Sequence, residues 1–426
     1  MLYNSCGYLF YALAYLELYP VYICPADIPK CDHTDKCRDP SIQVDWNNDK
    51  SLHNWVDKLD LTCVEPYKVG LIGSMFFAGW IQYLDRLTSV AKEGTSYVYL
   101  LEMIPQKSVT AISTIALFTD GATLIWISLY FKFITNEYLY LLIFGITITG
   151  ISNFAMQFIP ESPKFYYSIK QYDLARKSLR YIARFNEVQE YVDCNLKKLR
   201  IIVRIQLELS KINLRPCQII KKKNAWELKN QEEDDGELDG SMKMLLKNKK
   251  HLTNLLILGF LWITASFDYY LINFQLKYIK GDIYANTVVS SVSEVVAYAL
   301  TGAIFKFLGF RKSFVIAFVI SIIGSVLYIT LKNSAESLLP VMILAAKFGI
   351  SASFSLVYLS VTLFPTQYAS TCIGIWNLVA RVGSILAPQV AEIEGILPMI
   401  LFCIMAGIAA ISSLFIRTSA KQNAQQ

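Results

Sequence analysis

The chain is poor in the residues that do chemistry. It has three histidines in 426 residues, and two of them, His33 and His53, lie in one polar loop. That leaves little for a metal centre or for acid–base catalysis, and the spacing of these histidines and nearby cysteines fits no zinc pattern. No Gly-x-x-x-x-Gly-Lys-Ser/Thr loop is present, which argues against a pump driven by a nucleotide held in that way. Charged residues make up only 17% of the chain, and the net charge of +6 points to neither nucleic acid nor an acidic partner. The expectation is a protein that is not an enzyme and uses no cofactor or metal.

What the chain has in excess is apolar sequence, 54% of its residues. A soluble protein of this size would struggle to hide so much. The apolar residues fall in blocks longer than the ~18 needed to cross a bilayer core about 30 Å thick. The candidate spans are roughly 3–22, 67–84, 108–133, 138–159, 252–276, 284–308, 313–331, 338–363, 370–391 and 396–416. Ten segments predict an all-α polytopic membrane protein embedded in a lipid bilayer. The first is not a cleavable signal peptide, since no basic residue precedes it and no small-residue cleavage site follows. Only Met1 and Leu2 precede it, as expected of a shortened N-terminus.

Charge then sets the orientation. Half of the 40 Lys and Arg lie between Lys164 and Lys250, so the linker 160–251 is expected to be cytosolic. Runs such as Lys221 to Lys223 and Lys247 to Lys250 either lie against anionic lipid or are plainly solvated. Asp173 to Phe185 and Val188 to Leu209 read as amphipathic helices, and Glu232 to Gly236 as a flexible break. Counting back four spans puts the loop 24–63 outside the cell. Four cysteines cluster there, Cys24, Cys31, Cys37 and Cys63, an even number that reads as a disulfide framework with three possible connectivities. The loop has no Asn-x-Ser/Thr glycosylation acceptor. Cys6, Cys372 and Cys403 fall in spans and read as packing residues.

The linker is entered through Pro160-Glu161-Ser162-Pro163-Lys164, directly after an apolar segment. The two prolines lack donors and end the span. Glu161 is expected at a helix start, within reach of Lys and Arg. The layout is then an N-terminal bundle (1–159), the linker (160–251), a C-terminal six-helix bundle (252–417) and a cytosolic tail (418–426). Two bundles around a cytosolic linker suit a carrier that rocks about a central site. The halves are unequal: six spans follow the linker, and four precede it. Between the second span and Thr110 there remains 94–105, which contains Glu102 and is too short to cross. Loss of two spans preserves the orientation of every later helix, whereas loss of one would place the basic linker outside.

These residues resemble the organic cation, anion and carnitine transporter branch of the major facilitator superfamily. The linker entry is shared with sugar porters. More specific are Tyr269-Tyr270 … Gly281-Asp282-Ile283-Tyr284-Ala285-Asn286 … Glu294, and Lys347-Phe348-Gly349 … Tyr358 … Leu363-Phe364-Pro365-Thr366. The loop ending Trp55 … Leu61-Thr62-Cys63 is similar to the branch's disulfide-bonded outer loop. The resemblance implies a two-bundle fold of twelve spans, with the third and much of the fourth missing here. Gly302 … Lys306 … Gly309-Phe310-Arg311-Lys312 corresponds in part to the branch's gating signature, with Lys306 where an acid is usual. Asp85-Arg86 is a remnant of its first-half counterpart or the start of a shortened fourth span. Thr362 stands where the branch usually has Glu.

Charges inside spans cost about 2.5–3.5 kcal/mol on insertion scales, so each needs a reason. Arg381 stands where anion and carnitine members of the branch carry Arg and cation members carry Asp. A guanidinium there can fork onto a carboxylate, which points to an anionic or zwitterionic substrate; the alternative is a bundle-holding pair with Asp268 or Glu294. Lys347 reads as an anion ligand or as one partner of an ion pair. Asp120 and Asp268 are candidates to bind a cation or proton, or to neutralise Arg381. Glu294 matches a structural Glu of the branch. Trp126, Tyr130, Trp262, Phe267, Tyr269, Tyr270 and Trp376 are candidates to line an aromatic cavity, or are packing residues. Glu161, Glu102, Glu294, Arg311 and Lys312 are the expected gating and structural positions. The expected function is transport of small organic ions, with an organic cation carrier and a truncated, non-transporting membrane protein as the rivals. A plasma-membrane location is expected, and no oligomeric state is assigned.

Overall fold

The computed structural model describes residues 7–25, 31–82, 97–104, 108–169, 171–185, 247–278, 282–331, 334, 338–364, 366–393 and 395–418. Cys6, Asp85-Arg86, the Val188 to Leu209 helix, the Lys221 to Lys223 run, the Glu232 to Gly236 break, Gly281, Pro365 and most of the tail 418–426 lie outside the described residues. Helices dominate. In chain order they are α1 (Gly7–Leu16), α2 (His33–Arg38), α3 (Trp55–Lys58), α4 (Pro66–Gln82), α5 (97–103), α6 (Val109–Phe133) and α7 (Tyr138–Met156). After the Pro160 exit come α8 (Pro163–Ser168) and α9 (Tyr172–Phe185). The rest are α10 (Lys249–Gln275), α11 (Ile283–Leu331), α12 (Leu339–Leu359), α13 (Thr366–Ser384), α14 (Leu386–Ala391) and α15 (Leu397–Ser413).

Every expected span contains helix among the described residues, although the first, expected over 3–22, is helical only over Gly7–Leu16 and has Tyr22 in a strand. Five described helices are long and apolar enough to cross a bilayer, and α11, at 49 residues, contains two spans. It folds back at Gly309, whose φ of 70° is open to glycine and costly for a side chain. The shorter apolar helices are Tyr138–Ser152 and Leu397–Ser413. Large apolar side chains on α7 and α11 face outward, among them Phe144, Ile151, Ile323 and Val326. That pattern is costly in water and suited to lipid.

Close helix contact relies on small residues. A Cβ on Gly324 of α11 would collide with the backbone of Met342 to Ala346, and one on Gly349 of α12 with Ala317 and Ser321. The two helices therefore touch backbone to backbone. Polar caps set helix starts: the Asn248 side chain accepts from Lys250 N at 3.0 Å and opens α10.

The Pro160 exit differs in detail from the expectation. Pro163 starts α8 rather than only ending α7, and Ser162 is the cap, accepting from Phe165 N at 3.3 Å. The Glu161 carboxylate turns back to accept from Ser162 N at 2.9 Å. Helix α9 buries Ala175, Ser178 and Leu179 against Tyr166 and Tyr167 and leaves Arg180 and Arg184 on its outer side.

At the opposite end, strands β1 (Tyr22–Ile23) and β2 (Gln43–Val44) pair antiparallel. Of the three possible connectivities the structure has Cys24–Cys31 and Cys37–Cys63. Asn54 fixes this small unit to the helices, donating to Tyr15 O at 2.7 Å and Leu18 O at 2.8 Å. It thereby adds a donor to carbonyls at and just beyond the end of α1.

Candidate functional site

The charged side chains of the spans do not scatter. Helices α1, α6, α10, α11 and α12 bring several into one array, buried except at Asp120, which is partly exposed. Tyr11 of α1 donates its hydroxyl to Asp120 Oδ2 on α6 at 2.8 Å, and its oxygen lies 3.0 Å from the Tyr269 hydroxyl on α10. Tyr269 donates to Glu294 Oε1 at 2.7 Å, as does Tyr298 at 2.6 Å. Lys347 of α12 completes the array, 3.3 Å from Glu294 Oε2 and 3.6 Å above the Tyr269 ring. It also donates to Asn273 Oδ1 at 2.5 Å. Both Glu294 and Lys347 are shielded from solvent, so each charge depends on the other.

Arg381 sits beside this array on α13, only 4% exposed. It donates to the Tyr270 hydroxyl, and its guanidinium carbon lies 5.7 Å from that ring's centre. The Tyr270 ring meets Tyr269 edge-on at 5.5 Å and Phe77 of α4 at 4.8 Å. Arg381 is thereby linked to the first half of the chain through the Tyr270–Phe77 contact. Glu294, offered as its acid partner, is held by Lys347 instead. The other offered acid, Asp268, is fully buried on α10, and among the described residues neither of its carboxylate oxygens has a hydrogen-bond partner.

The aromatic candidates divide. Trp262 meets Tyr358 at a tilt with centres 4.9 Å apart, and Tyr358 in turn meets Tyr97 of α5 at 4.9 Å. Trp376 donates its indole N–H to Leu255 O at 2.9 Å and rests on Gly259, a packing position between α10 and α13. Trp126 is corrected outright: it is 67% exposed and turns away from the other helices. A tryptophan on a helix exterior is at home in lipid, and Trp126 does not line an interior. Beside Tyr11 and Asn273 the helices leave a cavity of about 20 Å³, room for about one water.

The gating positions are spread along the molecule. Arg311 donates to Ile416 O at 2.5 Å and ties the second span of α11 to the end of α15, while Lys312 is exposed. Glu102 lies against the Ser162 side chain near Lys164, so α5 docks on the Pro160 exit. Tyr11, Tyr298 and Asn273 were not singled out from the sequence. Hydroxyls and amides in apolar runs carry little signal there. A second buried cluster also went unnoticed: Lys277 lies 3.6 Å from Glu17 and 2.5 Å from Glu392. Glu17 is an acid in an apolar run and should have drawn the same question as Arg381.

The fold has solved counterparts. The proton:xylose symporter XylE superposes with a TM-score of 0.53 at 13% identity over 84% of this chain and 82% of its own. A partially occluded inward-open form of XylE from E. coli gives 0.51 at 9% identity, covering 99% and 95%. The chain is therefore an all-α integral membrane protein with the major facilitator fold. No family model matches it. Among curated proteins, the rat organic cation/carnitine transporter 2 is 25% identical over 422 residues, 87% of this chain and 70% of the relative. The mouse solute carrier family 22 member 4 is 24% identical over 425 residues, 87% and 71%. The human organic cation/carnitine transporter 2 is 32% identical over 165 residues, 37% of this chain and only 29% of the relative's length. Over most of its length the chain is thus similar to an organic cation/carnitine transporter and to a solute carrier family 22 member, at 24–25% identity.

Proposed function

We propose that the chain carries small organic ions across the plasma membrane by alternating access, and that the preferred substrate bears a carboxylate, as an anion or a zwitterion. Residues 1–159 and 252–417 act as the two rocking bundles. The linker 160–251 and tail 418–426 lie in the cytosol, and the disulfide-bonded loop 24–63 lies outside.

The observation that carries this reading is Arg381, a guanidinium buried in the last turn of α13, midway along the apolar stretch Thr371–Ala391, that donates to a phenol, Tyr270. A charge placed so deep favours binding of an opposite charge, and the fork of an arginine suits a carboxylate. The Tyr269 ring meets the Tyr270 ring, and Tyr269 in turn leads to Glu294 and, through Tyr11, to Asp120, groups that suit the cationic end of a zwitterion. Relatives whose names include organic cations and carnitine support the same class. The two carboxylates also favour a second reading, an organic cation carrier in which Asp120 holds the substrate.

Purified protein in liposomes tests both, with carnitine, a tetraalkylammonium ion and a monocarboxylate of similar size as probes. Loss of a charge-assisted bond of about 1.5–3 kcal/mol should lower carnitine or carboxylate flux about 10–150-fold in Arg381→Ala. Unimpaired flux of both probes in that variant would remove the assignment to Arg381. Flux of the tetraalkylammonium ion alone, lost in Asp120→Asn, would favour the cation reading. No flux of any probe would leave the non-transporting protein.

A further inference from the structure

The buried array contains one more hydrogen bond than its hydroxyls can supply. Asp120, Tyr11, Tyr269 and Glu294 stand in a row, joined by three contacts of 2.8, 3.0 and 2.7 Å. All three are hydrogen-bond distances. A phenol has one hydrogen to donate, and an ionised carboxylate has none. With both acids ionised, the two phenol hydrogens fill two of the three contacts, and two bare oxygens face each other across the third. A proton on Asp120 removes the conflict: Asp120 donates to Tyr11, Tyr11 to Tyr269, and Tyr269 to Glu294. The row runs equally well in reverse from a proton on Glu294, with Lys347 and Tyr298 still on that carboxyl group.

We propose that this row is a proton-binding site, in which Asp120 and Glu294 share one exchangeable proton through Tyr11 and Tyr269, and that the proton is the coupling ion of the carrier. The second half of the statement rests on the carrier reading above, and the first half does not.

The charges facing the row support a coupling role. Lys347 comes from α12, Tyr298 from α11, and Arg381 from α13 through Tyr270. Two carboxylates with Lys347 and Arg381 sum to zero, so one proton leaves the site with a single positive charge. That excess favours a substrate carboxylate, and by linkage a bound carboxylate favours the proton. The row also spans the two halves of the chain, from α1 and α6 to α10 and α11. Separating the halves breaks the Tyr11–Tyr269 contact and leaves each acid with its own phenol, so proton release follows opening.

Infrared spectroscopy of the detergent-solubilised protein tests the site without any need for transport. At neutral pH the wild type should show a carbonyl band from buried protonated carboxyl that shifts on exchange into D₂O. Part of that band should vanish in Asp120→Asn and shift in the isosteric Tyr11→Phe. Asp268→Asn serves as the control for the other buried acid. A carboxyl band that neither Asp120→Asn nor Tyr11→Phe alters would overturn the site. In liposomes at zero membrane potential, an inward proton gradient should drive uptake of carnitine or the monocarboxylate. Asp120→Asn, whose amide donates as the protonated acid would, should lose that dependence for the monocarboxylate, which has no cationic end for Asp120 to hold. Uptake that ignores the gradient in the wild type would overturn the coupling while leaving the carrier intact. A carboxyl band that responds as described in a protein with no uptake would keep the site and remove the carrier reading.

Discussion

Glu17 and Lys277 meet at the disulfide end of the molecule, one from each half of the chain, 3.6 Å apart and both shielded from solvent. Lys277 also holds Glu392 at 2.5 Å, and Tyr278 donates to the same carboxylate. Helix α4 reaches this cluster through two glycines. A Cβ at Gly73 would fall 2.7 Å from Glu17 Oε1, and one at Gly70 2.9 Å from Glu392 Cγ. Charges so dry are stable together and costly apart unless water reaches them. In the alternating-access reading proposed above, the cluster is a clamp that holds while this end is shut. Glu17→Gln and Gly73→Ala should each loosen it. Labelling of a cysteine introduced as Ser74→Cys, next to the cluster, by a bulky polar maleimide should speed up about tenfold, equivalent to ~1.4 kcal/mol. An unchanged rate in both variants would mean that the ion pairs do not hold the closed form.

The Glu294–Lys347 pair makes a different prediction. Removing one partner leaves the other charge buried and alone, a loss of about 3–5 kcal/mol. Lys347→Met should therefore lower thermal stability strongly, and Glu294→Gln should do so as well. The double variant should recover most of the loss, because neither charge then remains. A double variant as unstable as the sum of the singles would show that each residue is held by other partners.

Much of this was legible in the sequence, and the reason is the bilayer. Apolar blocks long enough to span it can be little else than helices, so the positions of α6, α10, α11 and α12 followed from composition. Burial of Arg381, Lys347 and Glu294 followed from the cost of charge in those blocks, whereas Asp120 is partly exposed. What did not follow was pairing. Whether Glu294 meets Arg381 or Lys347 depends on which faces of α11, α12 and α13 are turned to one another, and hydropathy carries no such phase. Trp126 was misjudged for the same reason, since an aromatic reads alike on the lipid face and the interior face. Tyr11 gave no warning because a phenol in an apolar run costs little.

Lys132 and Asp282 form a second link between the halves near the same end, 3.2 Å apart and about one-third exposed. Partial burial acts to raise the Asp282 carboxyl, but Lys132 and the Tyr284 N–H outweigh it and hold the group below its ordinary value. A depressed carboxyl binds fewer protons folded than unfolded. Its contribution is complete above the unfolded value near pH 4 and is lost as the pH falls through the folded one. Being partly exposed, the pair should contribute no more than about 1 kcal/mol. Melting curves from pH 7 down to pH 3 should therefore fall less steeply for Asp282→Asn than for the wild type. High salt at neutral pH should narrow the gap between the two proteins. Parallel curves would show that Lys132 does not stabilise the ionised form.

The two disulfides should differ in worth. Cys37–Cys63 closes a separation of 26 residues and Cys24–Cys31 one of seven. Loop-closure entropy gives about 3.5 kcal/mol for the longer and about 2.4 kcal/mol for the shorter, so the longer contributes roughly 1 kcal/mol more. The longer bridge also spans α2 to the segment just before α4, across the unit that Asn54 attaches to α1. Losing it should loosen that attachment as well as the loop. Replacing Cys37 and Cys63 by serine should therefore lower the melting temperature more than replacing Cys24 and Cys31. Limited proteolysis should show earlier cuts between residues 38 and 62 in the first variant than in the second. Equal losses would mean that the loop's stability comes from Asn54 and the β1–β2 pair rather than from its cross-links.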